Sequence, residues 1–427
     1  MKRAFRASIL HFLGDPRELG DKALTYLEDG LLLVENGCVA GLGEAAAMLP
    51  ALGPDVVLTD YSGKLILPGF IDTHTHYVQT DMIASHGEQL LAWLERYTFP
   101  TEAAFLDPEL ARETADFFLA ELLRNGTTTA GVYCTIHPQS VDALFGAAQA
   151  RNLRMIAGRV MMDRNCPETL RDTAQTSYDE SKALIERWHG NDRLSYGVTP
   201  RFAPTSSDEQ MRLAGQLFRE HEGLFLQTHL AENRDELKWI EKLYPHHRSY
   251  VDVYRDFGQL GPRAVLAHGI WIDDEDRAEL AKQGASISFC PTSNQFLGSG
   301  LFDYESAAEA GIRVGLGTDV GAGTSFSMLR TLGAAYQVLQ LRGQQLSAAQ
   351  GFYLATLGGA RSLWLDDKIG NFEPGKEADF VVIDWEATPL LARRAARAET
   401  LEEKLFALMI LGDDRAIAAT HILGERA

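Results

Sequence analysis

The segment Phe70-Ile71-Asp72-Thr73-His74-Thr75-His76 closes an apolar run with two imidazoles at positions i and i+2. Alternate side chains of a strand share a face, so both rings can reach one metal ion. The same spacing also lines polar pockets, and the pair alone leaves both readings open. Other apolar runs end in residues of the same kind. Residues 224–229 end in His229, with Glu232 three positions on; 264–268 end in His268; 313–319 end in Asp319. Each run has strand length and carries its polar residue at the C-terminal end. A lone histidine closing a strand is commonly a core or capping residue. Four such runs in one chain favour a shared metal centre over coincidence.

The elements that must position these residues follow the same pattern. Residues 127–133, 154–160, 194–200 and 286–290 also read as short buried strands, which makes eight. Between most of them lie amphipathic helical stretches, such as 108–125, 207–221 and 273–283, each closed by Gly or a polar turn. Strand and helix alternating eight times predicts an α/β fold, a (β/α)8 barrel, whose catalytic groups gather at the C-terminal strand ends. An open doubly wound sheet has the same periodicity, but it would not readily bring the ends of its first, fifth and eighth strands to one point. At 427 residues the chain is longer than one barrel needs. Residues 4–62 hold short alternating runs such as Leu31-Leu32-Leu33-Val34, and the tail holds a turn and strand at 375–384. The expectation is a small β-sandwich domain built from both termini, 1–66 with 375–427, beside a barrel over 67–374.

The formal net charge of −19 argues against a polyanionic partner, because nucleic-acid binding needs clustered Lys and Arg. A small neutral or cationic substrate fits better. Cys38, Cys134, Cys166 and Cys290 lack paired spacing and read as reduced thiols of a cytoplasmic protein. The basic start Met1-Lys2-Arg3 precedes too short an apolar stretch for a signal peptide, and no run is long enough to span a membrane.

The string Pro68-Gly69-Phe70-Ile71-Asp72-Thr73-His74-Thr75-His76, taken with His229, His268 and Asp319, resembles the amidohydrolase superfamily of metal-dependent hydrolases over essentially the whole chain. Longer strings are similar to the members that deaminate guanine: His76-Tyr77-Val78-Gln79-Thr80-Asp81, Thr199-Pro200-Arg201-Phe202-Ala203, Cys290-Pro291-Thr292-Ser293-Asn294 and residues 317–327. The last, from Gly317-Thr318-Asp319 to Ser325-Phe326-Ser327, is the most specific.

The resemblance implies that His74, His76, His229 and Asp319 hold one divalent ion, zinc by donor type with iron tolerated. Two-metal members bridge their ions through a modified lysine at the fourth strand; here that strand ends Thr199-Pro200-Arg201-Phe202, so one ion is expected. The implied reaction is guanine plus water to xanthine plus ammonia, a step of purine catabolism. Glu232 would protonate the ring nitrogen and later the departing ammonia. Asp319 would take the proton of the attacking water, and His268 would hydrogen-bond the incoming or developing oxygen. Gln79 and Arg201 would hydrogen-bond the edge of the purine with Phe202 packed nearby, while His76, His229, Glu232 and Asp319 also face it. On spacing alone, Arg201 equally suits a structural pairing with a carboxylate. A homodimer is implied by resemblance only. The alternatives are an aminohydrolase of another amino-substituted heterocycle, such as a pterin, triazine or adenosine derivative, and a non-catalytic scaffold.

Three other patterns carry no function. Gly41-Leu42-Gly43-Glu44-Ala45-Ala46 lacks the βαβ unit that a dinucleotide fingerprint requires. His86-Gly87-Glu88 matches half of the other zinc-deaminase signature, but no Cys-x-x-Cys exists to complete it. His246-His247 and the arginines 393, 394 and 397 sit in polar stretches and read as solvated surface.

Overall fold

The computed structural model describes residues 2–427. The N-terminal part forms β1 (Lys2–Phe12), β2 (Leu24–Glu35), β3 (Cys38–Glu44) and β4 (Val57–Pro68). The barrel strands are β5 (Phe70–His76), β6 (Thr127–Tyr133), β7 (Arg154–Gly158), β9 (Ser195–Pro200), β10 (Phe225–Leu230), β11 (Ala264–His268), β12 (Ser286–Phe289) and β13 (Arg313–Leu316). A two-residue strand, β8 (Val160–Met161), pairs with β9 beside this path. The chain ends with β14 (Phe380–Ile383), β15 (Ile417–Ile422) and β16 (Glu425–Arg426).

The eight barrel strands run parallel in sequence order from β5 to β13. Side-chain bonds clasp the first to the last. Thr73 Oγ1 donates to Leu316 O at 3.0 Å, and Thr318 N donates to Asp72 Oδ1 at 3.0 Å. The expected (β/α)8 barrel is present, and the outer helices start where capping chemistry allows. Asp107 accepts from Glu109 N, Pro108 occupies the first helical position, and Ala111, Ala115, Phe118, Leu119 and Leu122 form the buried stripe of Pro108–Arg124. Ser207 caps Asp208–Glu220, and Asp273 with Asp276 forms a capping box on Asp274–Gln283, which closes on left-handed Gly284 (φ 73°).

Both termini meet in one seven-stranded sheet of order β16-β15-β14-β4-β1-β2-β3. β1 pairs parallel with β4, and β14 pairs antiparallel with β4 from Phe380 opposite Pro68 to Ile383 opposite Leu65. One face buries Phe5, Ile9, Ile66, Phe380 and Val382 together. The other face sends Leu10, Phe12, Leu65, Leu67, Val381 and Ile383 into the barrel's hydrophobic core. Between β14 and β15 the helices Pro389–Ala395 and Leu401–Leu411 add Leu391, Leu405, Leu408 and Met409 to that same core. The C-terminal stretch assigned to the small β domain therefore also serves the barrel through these two helices.

The sheet docks on the end of the barrel away from the His and Asp residues. Glu377 takes Arg154 Nε at 2.8 Å and Arg193 Nη2 at 2.6 Å, and Asp379 takes Leu423 N at 2.8 Å and also pairs with Arg193. Among the described residues, no helix is long and apolar enough to cross a membrane.

Two buried histidines make this sheet acid-sensitive. His421 stacks on Phe380 with centroids 4.3 Å apart, and its Nε2 meets the Tyr61 hydroxyl at 3.0 Å. His11 accepts from Phe372 N at 3.3 Å. Burial lowers each from 6.5 to about 4. An imidazole depressed on folding stabilises the neutral form, so its contribution is complete above pH 6.5 and is lost as pH falls toward about 4. Unfolding free energies from urea titrations across this window should fall, by up to about 3 kcal/mol for each histidine. His421→Phe, which keeps the stacking, should flatten the slope; an equal slope in the variant would remove His421 as its source.

Candidate active site

Each chemically important side chain sits at or just past the C-terminal end of a barrel strand. His74 and His76 close β5 with ring centroids 4.9 Å apart, and His229 lies one residue from the end of β10. His268 ends β11 with φ of 73°, and Asp319 follows β13 with φ of 51°. Ala231, between His229 and Glu232, has φ of 48°. Left-handed backbone at three non-glycine positions is strain that the surrounding fold must hold. Gly317 has no room for a side chain, since a Cβ would lie 2.6 Å from Ser288 Oγ and 3.0 Å from His74 Cβ.

Four donor atoms converge. His74 Nε2 and His76 Nε2 lie 3.2 and 3.3 Å from Asp319 Oδ1, and His229 Nε2 lies 3.3 Å from His76 Nε2. All four residues are buried or nearly so, and His74 Nε2 has no hydrogen-bond partner. Burial lowers all three imidazoles, His76 to about 3, with the neighbouring histidines adding to the effect at His76 and His229. Neutral imidazoles are the form that binds metal. Burial opposes charge on Asp319, but His74, His76 and His268 outweigh it and hold the carboxyl well below its usual range. His229 Nδ1 meets Arg201 O at 2.8 Å, which aims Nε2 at the cluster. A second grouping, His74, His268, Cys290 and Asp319, also lies within ligand reach. Its thiol is pushed well above 9 by burial first and by Asp319 next, and Cys290 Sγ donates to Ser288 O at 3.5 Å. The three histidines with Asp319 are the better fit to a divalent ion, with nitrogen and carboxylate donors in a tetrahedral count.

His268 adjoins this cluster. Its Nδ1 meets Asn294 Oδ1 at 2.9 Å, leaving Nε2 at 3.4 Å from Glu232 Oε2 and 3.9 Å from Asp319 Oδ2. Burial disfavours its charge, but the two carboxylates prevail and raise it. Glu232 receives Ser299 Oγ at 3.0 Å, and burial pushes its carboxyl up. A carboxyl held toward its acid form beside a cluster of donors suits proton delivery.

His76, His229, Glu232, His268 and Asp319 line a cavity with Gln79, Arg201 and Phe202, walled by Leu90, Trp93, Leu94, Leu297 and Ala322. The structure thus gathers every residue singled out in the sequence for ligation, catalysis or recognition. Arg201 lines the cavity and makes the carboxylate pairing that its spacing alone allowed, through Nη1 with buried Glu102 at 2.8 and 2.7 Å. Gln79 Nε2 donates to the same carboxylate at 3.0 Å.

Sequence reasoning missed Glu102 and Glu236. Glu102 follows a π turn, Leu94–Thr98, that precedes Pro100, and no periodic pattern marks it. Glu236 Oε2 accepts from Glu232 N at 2.8 Å and Asn233 N at 3.1 Å, and burial raises its carboxyl to about 7. The Asn233-x-x-Glu236 capping box was the available signal.

The amidohydrolase family model matches residues 65–427. A guanine deaminase of Escherichia coli (strain K12) is 54% identical over 413 residues, 97% of this chain and 94% of that protein. The solved structure of an E. coli guanine deaminase superposes with a TM-score of 0.97 at 53% identity, covering 100% of this chain and 99% of that one. A guanine deaminase from C. acetobutylicum, solved with guanine bound in its active site, superposes with a TM-score of 0.90 at 29% identity over 100% of both chains.

The donor geometry predicts one divalent ion per chain. Elemental analysis after zinc loading and dialysis should give one equivalent, and zinc should raise the melting temperature of chelator-stripped protein. His229→Ala should weaken zinc binding by about a hundredfold or more. Full retention by that variant would move the site to the grouping around Cys290.

Proposed function

This chain belongs to the amidohydrolase family, and we propose that it is a guanine deaminase that converts guanine and water to xanthine and ammonia with one zinc ion. The observation that carries this reading is that His76, His229 and Asp319, which converge with His74, share one cavity with Glu232 and with the amide and guanidinium of Gln79 and Arg201. A divalent ion held by the four donors supplies Lewis acidity that brings the pKa of water toward about 7.

The remaining work falls to side chains. Asp319 accepts the proton of the water that adds to C2 of guanine. Glu232 gives its proton to the adjacent ring nitrogen as aromaticity is lost, then takes the proton of the new C2 hydroxyl and passes it to the amino group, so that the C2–N bond breaks with ammonia as leaving group and a C2 carbonyl forms; the proton held by Asp319 restores Glu232. His268, drawn toward its cationic form by Glu232 and Asp319, donates to the developing oxygen. Gln79 and Arg201 orient the ring, Phe202 packs beside it, and His76 and His229 complete the polar floor. Purine catabolism, a cytoplasmic location and a homodimer belong to this reading; four free cysteines support the location.

Zinc-loaded protein offered guanine, adenine, cytosine, a pterin and a triazine should release ammonia with xanthine chiefly from guanine. Turnover of another ring instead would discard the substrate assignment. Glu232→Gln should lose activity by about 10²-fold or more while retaining zinc; full activity in that variant would remove Glu232 from the reaction. Arg201→Ala should act mainly on KM, and unchanged kinetics on guanine would show that the ring is read elsewhere.

A further inference from the structure

Glu102 is 0% exposed and lies behind the cavity wall. Three of its contacts reach residues that do face the cavity: Gln79 Nε2 to Oε1, and Arg201 Nη1 to both oxygens. A carboxylate only accepts hydrogen bonds. Gln79 must therefore turn an N–H toward Glu102, which keeps its carbonyl oxygen off that carboxylate and leaves it as an acceptor for another partner. Arg201 spends a single nitrogen on both carboxylate oxygens, where a fork-to-fork pair would spend two. Its Nη2 and Nε make no hydrogen bond to the described residues, and Arg201 lines the cavity. The guanidinium carbon lies 5.7 Å from the Phe99 ring centroid, which restrains the plane further. Gly321, with φ of 116°, packs against the amide so closely that a Cβ would meet Gln79 Oε1 at 2.1 Å.

We propose that Glu102 is a positioning residue that sets the polarity of the ring-reading edge, fixing an acceptor at Gln79 and a donor at Arg201. The assignment rests on the guanine reading above. Such an edge takes a heterocycle that presents an N–H beside a carbonyl, as guanine does at N1 and C6. A ring with a bare acceptor nitrogen at that place meets the Gln79 carbonyl lone pair against lone pair. Polarity, more than cavity size, is then what admits oxo-purines and rejects their amino or unsubstituted counterparts.

The test compares zinc-loaded wild type, Glu102→Gln and Glu102→Asp on guanine and on 2-aminopurine. The second ring carries the same amino group at C2, but it has an acceptor nitrogen at position 1 and no oxygen at C6. An amide at 102 can donate, so Gln79 is free to turn. Glu102→Gln should lower kcat/KM for guanine about thirtyfold, chiefly through KM, and leave 2-aminopurine within about threefold at unchanged zinc content. Where 2-aminopurine is not turned over, its dissociation constant from its own fluorescence replaces kcat/KM. Parallel losses on both rings, or an unchanged preference, would overturn the assignment. Glu102→Asp keeps the charge opposite Arg201 and decides the matter if the amide variant does not fold. It should raise KM for guanine about tenfold with kcat within about threefold, and a wild-type KM would overturn the proposal. Wild-type protein inert toward guanine overturns the functional reading and this assignment together. An active wild type with an unaltered preference in the variants overturns this assignment alone.

Discussion

The site depends on one clasp, the closure of the barrel between its first and last strands. Thr318 donates through its N–H and its hydroxyl to the Asp72 carboxyl, and Asp319 N donates to His74 O at 2.9 Å. These bonds join residues about 245 positions apart and set the carbonyl and side chain of β5 against the end of β13. The Asp72 carboxyl takes three hydrogen bonds in all, from the Thr318 N–H and hydroxyl and from the His74 N–H. Burial nonetheless raises Asp72 to about 7, against the pull of its three donors. Without the closure, Asp319 would have no reason to lie 3.2 Å from His74.

The strain at the strand ends follows from the same requirement. A strand that ended in ordinary extended backbone would carry His268 and Asp319 onward along the barrel axis. Left-handed φ at both positions turns the chain sharply, and the loops return to the rim. The clasp and the packed barrel supply the rigidity that holds those conformations, while neutral imidazoles avoid a repulsion that three buried cations could not sustain.

Legibility from sequence divides along physical lines. The barrel strands, the ligand-type residues at their ends and the capped helices were readable because each is encoded within a few residues: an apolar run, a polar terminus, a capping Asp or Ser. Residues brought in from the side were not. Glu102 acts on Gln79, 23 positions away, and on Arg201, 99 positions away, from a helix distorted by a π turn. Nothing near it in sequence announces a buried carboxylate. Gln89 is similar: it takes Asn233 Nδ2 at 3.0 Å and donates to Leu297 O at 3.1 Å, closing the cavity roof between segments remote in the chain.

This division also separates chemistry from selection. The four-donor cluster and Glu232 sit on strand ends, where the fold alone places them, and the same arrangement serves any ring whose amino carbon can be brought there. On the proposed reading, rings are distinguished by the segment after β5, where Gln79 and Glu102 lie, together with Arg201 after β9 and the tight backbone at Gly321. Those contacts are long-range and polar, and their energy depends on matching donors to acceptors in a site that excludes water. A barrel can therefore keep its reaction while its loops exchange one carboxylate or one amide, and the ring it accepts changes with them.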